Sequence, residues 1–289
     1  MAEEINFLNS IEAAKVLGVN VSSIKRWTDS GKLECIQTAG GHRKFLMNHL
    51  VKFIEENDTS TKKAHIFPIE NEADLEISFY VLRGDFDFLS SYLLRKARAS
   101  ERSAVLKVLS GLYLGHYALH TIYDELVTPV LRQIGTLWMN DELSIVEEHI
   151  AAQTIREAIS RLQGIIRIPP RKSGTALFIN LSSELHDIGL KMSENIMEVR
   201  GFNTYFSGQM TPFVKMEQMF DKIRPDRLYI SSTFVFNRDS TQEEVNQLFT
   251  ISRKYSTAVY VGGRGWDVLD YDHEVVVKRM YSFEETFES

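Results

Sequence analysis

The feature that most constrains this chain is a change of hydrophobic period near Gly174. From Glu72 to Ile165 apolar residues recur at spacings of three and four, with breaks near Gly84, Ser100, Gly115 and Asp141. That pattern predicts an α-helical bundle of about four or five helices. Beyond Gly174 the runs Thr175-Ala176-Leu177-Phe178-Ile179-Asn180, Asn203-Thr204-Tyr205-Phe206, Arg227-Leu228-Tyr229-Ile230-Ser231 and Thr257-Ala258-Val259-Tyr260-Val261 read as strands separated by helical stretches. Alternating β and α implies a doubly wound parallel sheet. A bundle and a doubly wound sheet need separate cores, and 289 residues give room for them. The expected class is multidomain, α followed by α/β.

The first 56 residues read differently again. Asn9-Ser10 caps a short helix through Leu17 that Gly18 would end, and Asn20 would cap a second helix from Val21 to about Asp29. On the second helix Ile24 and Trp27 point inward, leaving Ser22, Ser23, Lys25 and Arg26 outside. A β-prone Gly31-Lys32-Leu33, a turn at Gly40-Gly41, the stretch His42-Arg43-Lys44-Phe45 and a helix near Asn48 to Glu55 complete a winged helix-turn-helix with a basic wing. The formal net charge is -6, which argues against bulk nucleic-acid binding. Between residues 15 and 52, however, Lys15, Lys25, Arg26, Lys32, Arg43, Lys44 and Lys52 face only Asp29 and Glu34, a local excess that suits phosphates. The polar Asn57-Asp58-Thr59-Ser60-Thr61-Lys62-Lys63, with Pro68 beyond it, reads as a linker. The expected organisation is a winged helix over 1–56, a linker over 57–72, a bundle over 73–168 and a sheet domain over 169–289.

No apolar run reaches the ~18 residues of a membrane span. Met1-Ala2-Glu3-Glu4 has neither the basic nor the apolar region of a signal peptide, so a cytoplasmic protein without membrane contact is expected. Cys35 is the sole cysteine, which excludes an internal disulfide.

In an open parallel sheet, ligands bind beyond the carboxyl ends of the strands. The loop after the first predicted strand is Ser182-Ser183-Glu184-Leu185-His186-Asp187-Ile188-Gly189. Glu184 can hold one ring nitrogen of His186 and leave the other basic enough to ligate a metal, while Gly189 admits a bulky group. Taken alone, acid-x-His-x-x-Gly also describes an ordinary surface-loop histidine. In the bundle, Ser144-Ile145-Val146-Glu147 is a capping box. Ile145, Glu148, Ala152, Ile155 and Ile159 then recur at helical spacing, which puts Glu148 on an apolar seam. A carboxylate there contacts a ligand or snorkels to the bundle edge. Trp138 lies ten residues before Glu148, and His149 follows it.

These motifs resemble known families. Ser23-Ile24-Lys25-Arg26-Trp27 through Gly31-Lys32-Leu33, with Ala39-Gly40-Gly41-His42-Arg43-Lys44-Phe45, resembles the N-terminal winged helix of the MerR family. The Glu184-to-Gly189 loop resembles that of flavodoxin-like cobalamin-binding domains. Trp-x9-Glu-His resembles the bundle signature of CarH-type photoreceptor regulators. All three, in this order, resemble the CarH/CarA class of MerR-type regulators. The resemblance implies adenosylcobalamin as cofactor, with His186 beneath cobalt in place of the benzimidazole base. It further implies Ser231, Thr233, Gly262 and Gly263 along the nucleotide tail, with an uncrowded backbone at the two glycines. The adenosyl group would sit against Trp138 and Glu148, and His149 would line that pocket. Ser22, Ser23, Lys25 and Arg26 would read the major groove of double-stranded operator DNA, and His42, Arg43 and Lys44 would reach the flanking backbone. The expected protein is no enzyme but a light-responsive repressor, a homo-oligomer (dimer or tetramer) that binds DNA in the dark. The alternatives are a light-independent cobalamin sensor, a cobalamin-free repressor, or a corrinoid carrier. One departure stands out. Photoreceptors of this type can have a histidine directly after the tryptophan, where this chain has Met139, a weak ligand for oxidised cobalt.

Overall fold

The structure, a computed structural model, describes residues 7–17, 19–38, 40–46, 49–50, 52–53 and 72–289. Gly18, half of the expected helix to Glu55 and most of the linker lie outside the described residues. The chain divides into two compact units. One holds the described residues up to Tyr117 together with Pro129–Ile155, and the other holds Ala118–Thr128 together with Arg156–Ser289.

The first unit begins with helices α1 (Ser10–Val16) and α2 (Val21–Asp29) and strands β1 (Leu8–Asn9), β2 (Ile36–Gln37) and β3 (Arg43–Phe45). The strands form an antiparallel sheet in the order β1-β3-β2. Asn9 starts α1 with a reciprocal cap: its Oδ1 accepts from the Ile11 and Glu12 N–H groups, and Glu12 Oε2 accepts from the Asn9 N–H at 2.8 Å. At α2 the expected side-chain cap does not form; the Asn20 backbone carbonyl accepts from Ser23 and Ile24 instead. Gly31-Lys32-Leu33 is a turn rather than a strand. Gly31 is left-handed (φ +70°), and the Lys32 and Leu33 N–H groups both return to the Trp27 carbonyl to close α2. Extended pairing therefore begins only at Ile36. Leu8, Leu17, Ile24, Leu33, Phe45 and Phe53 form the core here, together with Phe79 from the first bundle helix.

The helices that follow are α3 (Glu72–Arg83), α4 (Phe86–Arg98), α5 (Arg102–Leu114), α6 (Leu119–Ile122) with a π-helical turn Tyr123–Val127, α7 (Thr128–Met139) and α8 (Ile145–Leu162). Between them the chain turns at left-handed residues, with φ of +64° at Gly84, +56° at Ser100, +69° at His116 and +59° at Asp141. These fall at or beside the four breaks in the hydrophobic period.

The second unit holds strands β4 (Gly174–Asn180), β5 (Phe202–Phe206), β6 (Arg227–Ser231), β7 (Ala258–Gly262) and β8 (Val276–Met280). They are all parallel, in the order β5-β4-β6-β7-β8. That is the flavodoxin-like order. Helices α9 (Ile188–Val199), α10 (Met216–Ile223), α11 (Arg238–Tyr255) and α12 (Phe283–Glu288) belong with the sheet. Leu177, Ile179 and Leu181 pack with Phe220, Val245 and Leu248, while Ala176 and Phe178 pack with Leu190 and Met197. Both faces of β4 are thus buried, which explains its unbroken apolar run. The chain goes from β4 to β5 on one side and from β5 to β6 on the other. The sheet therefore reverses direction between β4 and β6, and a crevice opens at their carboxyl ends.

Candidate functional site

The β4-to-α9 loop lies at this reversal point. Glu184 is 1% exposed, whereas the His186 ring beside it is 60% exposed. Glu184 Oε1 accepts from the His186 N–H at 2.8 Å and lies 2.7 Å from His186 Nδ1. Glu184 Oε2 accepts from the Thr233 and Phe234 N–H groups, in the loop after β6. Burial pushes the Glu184 carboxyl up, but the donors from His186, Thr233 and Phe234 outweigh it and hold the group below its ordinary range. An ionised carboxylate fixed on Nδ1 favours the tautomer whose lone pair is on Nε2, the form that ligates a metal. The pairing within the loop was legible from the sequence; closure by the second loop was not.

Beneath this loop sits a residue that sequence reasoning missed. Asn180 ends β4 fully buried, and neither its Oδ1 nor its Nδ2 has a hydrogen-bond partner. Ser232, just past β6, likewise buries an unpartnered Oγ. Buried polar groups of this kind need partners. Two such groups at the ends of the strands flanking the reversal fit a ligand that brings polar atoms into the crevice. The signal available in the sequence was an amide at the end of an otherwise apolar strand.

The glycines divide. A Cβ at Gly189 would meet nothing within 4 Å, so the first turn of α9 is open there. Gly262 ends β7 with the Met280 carbonyl 3.8 Å from such a Cβ. Gly263 departs from the expected uncrowded backbone. It is left-handed (φ +100°), and a Cβ would fall 2.1 Å from the Ser232 carbonyl oxygen, so its missing side chain is accounted for by the chain's own packing. Ser231 is half-buried, and Thr233 is exposed.

In the first unit the capping box forms as expected, with the Ser144 N–H donating to Glu147 Oε2 at 2.8 Å and the Glu147 N–H returning to Ser144 Oγ. The expected seam does not. The buried stripe of α8 runs through Ala151, Ile155, Ala158, Ile159 and Leu162, whereas Ile145, Val146 and Ile150 are exposed. Glu148 is half-buried on those first, uncovered turns, because spacing identifies an apolar face without saying what covers it. Its Oε2 lies 2.5 Å from Nδ1 of His149. Trp138, 44% exposed, and the exposed Met139 end α7. Exposed apolar side chains are thus concentrated at the end of α7 and the start of α8.

On α2, Ser22, Lys25 and Arg26 are exposed, Ser23 is half-buried and Ile24 is buried. His42 is exposed in the wing turn, while Arg43 and Lys44 are half-buried in β3. Arg43 Nη2 lies 2.5 Å from Asp29 Oδ1, at the end of α2. Arg43 therefore ties the wing to the end of α2, and a phosphate would compete with Asp29 for it. No helix among the described residues is long and apolar enough to cross a membrane.

The chain matches known proteins in two segments and along most of its length. A helix-turn-helix domain model matches residues 7–58, and a B12-binding domain model matches residues 80–163, which covers most of the helical segment. The chain is 22% identical to the HTH-type transcriptional repressor CarH of Myxococcus xanthus, over 97% of this chain and 94% of that protein. The monomethylamine corrinoid protein of Methanosarcina barkeri shares the fold at a TM-score of 0.57 and 12% identity, covering 70% of this chain and 96% of that one.

Proposed function

Starting from a chain that is a CarH-like helix-turn-helix protein with a cobalamin-binding domain, we propose that it is a light-responsive repressor carrying adenosylcobalamin. The observation that carries the cofactor half of this reading is the Glu184–His186 pair at the sheet reversal, above the unpartnered Asn180 and Ser232. His186 would hold cobalt from below through Nε2, with Glu184 keeping the ring oriented through Nδ1. Ser231, Thr233, Gly262 and Gly263 lie at or just past the carboxyl ends of β6 and β7, where the nucleotide tail would run. Gly189 leaves room for the corrin, while Trp138, Glu148 and His149 would contact the adenosyl group. When bound, the cofactor supplies a cobalt–carbon bond weak enough for visible light to break.

The exposed apolar side chains of Trp138, Met139, Ile145, Val146 and Ile150 supply the switch. Covered by the adenosyl group and by a second copy in the dark, this surface would hold a homo-oligomer that brings several winged helices to one operator at high effective concentration. Loss of the adenosyl group would loosen it. Ser22, Ser23, Lys25 and Arg26 would then leave the major groove, and His42, Arg43 and Lys44 the flanking phosphates. The protein would act in the cytoplasm, as a regulator rather than an enzyme.

A cobalamin sensor indifferent to light is the second reading; in the photoreceptor reading Met139, a poor ligand for oxidised cobalt, leaves the lit state without the second imidazole that photoreceptors of this type can have. Sedimentation and gel shifts of the adenosylcobalamin-loaded protein before and after green light separate the two. The photoreceptor reading expects a smaller species and lost DNA binding after light. The sensor reading expects both unchanged, with DNA binding still dependent on cobalamin.

A further inference from the structure

Glu184, Leu185 and Asp187 are each held by another part of the fold. The Glu184 carbonyl accepts from the Met210 N–H at 3.0 Å. The Leu185 carbonyl accepts from Gln209 Nε2 at 2.6 Å. His186 is bonded to Glu184, whose carboxylate reaches across to Thr233 and Phe234. Asp187, 1% exposed, accepts from Arg156 Nε at 2.9 and 3.0 Å, from Arg156 Nη2 at 2.6 Å and from Gln209 Nε2 at 3.3 Å. Asp187 stands at the N-cap of α9, where an aspartate ordinarily caps the helix, yet its side chain makes no cap bond. The carboxylate is spent on a forked guanidinium instead. A buried ion pair stabilises little compared with apolar packing of the same volume, and its best-attested use is to specify one geometry. A bidentate fork sets both position and angle.

We propose that Arg156 and Gln209 are positioning residues for His186, locking the Glu184-to-Asp187 loop in the single arrangement that presents the imidazole to cobalt. Arg156 belongs to α8, the helix that carries Glu148 and His149 on its first turns. The proposal rests on the reading of His186 as the lower cobalt ligand. Arg156 and Gln209 touch neither metal nor corrin in it; they act through Asp187 and the Leu185 carbonyl.

The test uses the full chain, labelled with nitrogen-15 and loaded with cob(II)alamin, and reads electron paramagnetic resonance. An axial nitrogen from the protein splits the cobalt(II) lines into doublets, whereas the cofactor's own unlabelled base gives triplets. The parent should show doublets that vanish in His186→Ala. Arg156→Lys keeps the charge and loses the fork, and Gln209→Ala removes an exposed side chain that folding tolerates. Each should lower the ratio of doublet to other signals by about tenfold, the usual scale for outer-shell partners of metal ligands. Unchanged doublets in a folded Gln209→Ala and Arg156→Lys would overturn the clamp while leaving His186 as ligand. Should Arg156→Lys not fold, Gln209→Ala decides alone. A parent without doublets would remove the His186 reading, and the clamp with it.

Discussion

Replacing Glu184 by Gln tests whether the carboxylate is the structural centre of the sheet-domain site. Its Oε1 is bonded to the His186 N–H and Nδ1, and its Oε2 to the Thr233 and Phe234 N–H groups. Glutamine keeps one oxygen, so two of these donors would face an amide NH2 in a buried position. Hydrogen bonds to a charged acceptor contribute ~1.5–3 kcal/mol each, which puts the loss at about 3 kcal/mol or more. For a unit of this size that corresponds to a fall in melting temperature of roughly 6–12 °C. The pH dependence has a definite sign. The native carboxyl is held below its ordinary value of 4.5, so its contribution is present above that pH and fades as pH falls through the native value. The gap between parent and variant should therefore be widest near neutrality and shrink below about pH 4.5. His186→Ala is the control: its ring is 60% exposed, and removal should cost less than about 1 kcal/mol. Thermal unfolding followed by circular dichroism at several pH values is the assay. A Glu184→Gln protein melting within about 2 °C of the parent at pH 7, or a gap unchanged at pH 3, would refute the argument.

In gel shifts, Arg43→Ala should weaken DNA binding uniformly across sequences and reduce the salt slope by about one, whereas Arg26→Ala should also relax sequence preference, each at ~1–3 kcal/mol. Asp29→Ala frees Arg43 from its ion pair and should leave affinity equal or higher; a marked loss would mean that holding the wing matters more than supplying a free cation. Burial and the nearby charge of Glu194 push the Glu198 carboxyl up against the opposing Gln163 hydrogen bonds. That raised group favours the native state at low pH and costs stability as pH rises through its native value, so Glu198→Gln should gain on the parent between pH 4 and pH 8 in melting experiments. Gly263→Ala, forced into φ +100° with its Cβ 2.1 Å from the Ser232 carbonyl, should destabilise by more than about 2 kcal/mol in urea unfolding.

The sequence alone determined what depends on neighbours within a helical turn or along one strand. The change of period at Gly174 separated helices from sheet, and the turns at Gly84, Ser100, His116 and Asp141 fall where the apolar spacing breaks. The Asn9 and Ser144 caps and the Glu184–His186 pair were equally legible, because their partners lie within three residues. Strand β8 escaped notice: it is an edge strand whose Lys278 and Arg279 hide the apolar signal. Only the tertiary structure decided which side of α8 is covered, so the apolar spacing that placed Glu148 on a seam became an exposed surface. It also decided that Arg43 pairs with Asp29, that Thr233 and Phe234 close on Glu184 from 49 and 50 residues away, and that Arg156 grips Asp187 from 31. These contacts are set by strand order and crossover connections, which bring distant loops to one end of the sheet. Hydrophobic periodicity records whether a side chain faces a core, and carries no record of which distant residue it will meet there.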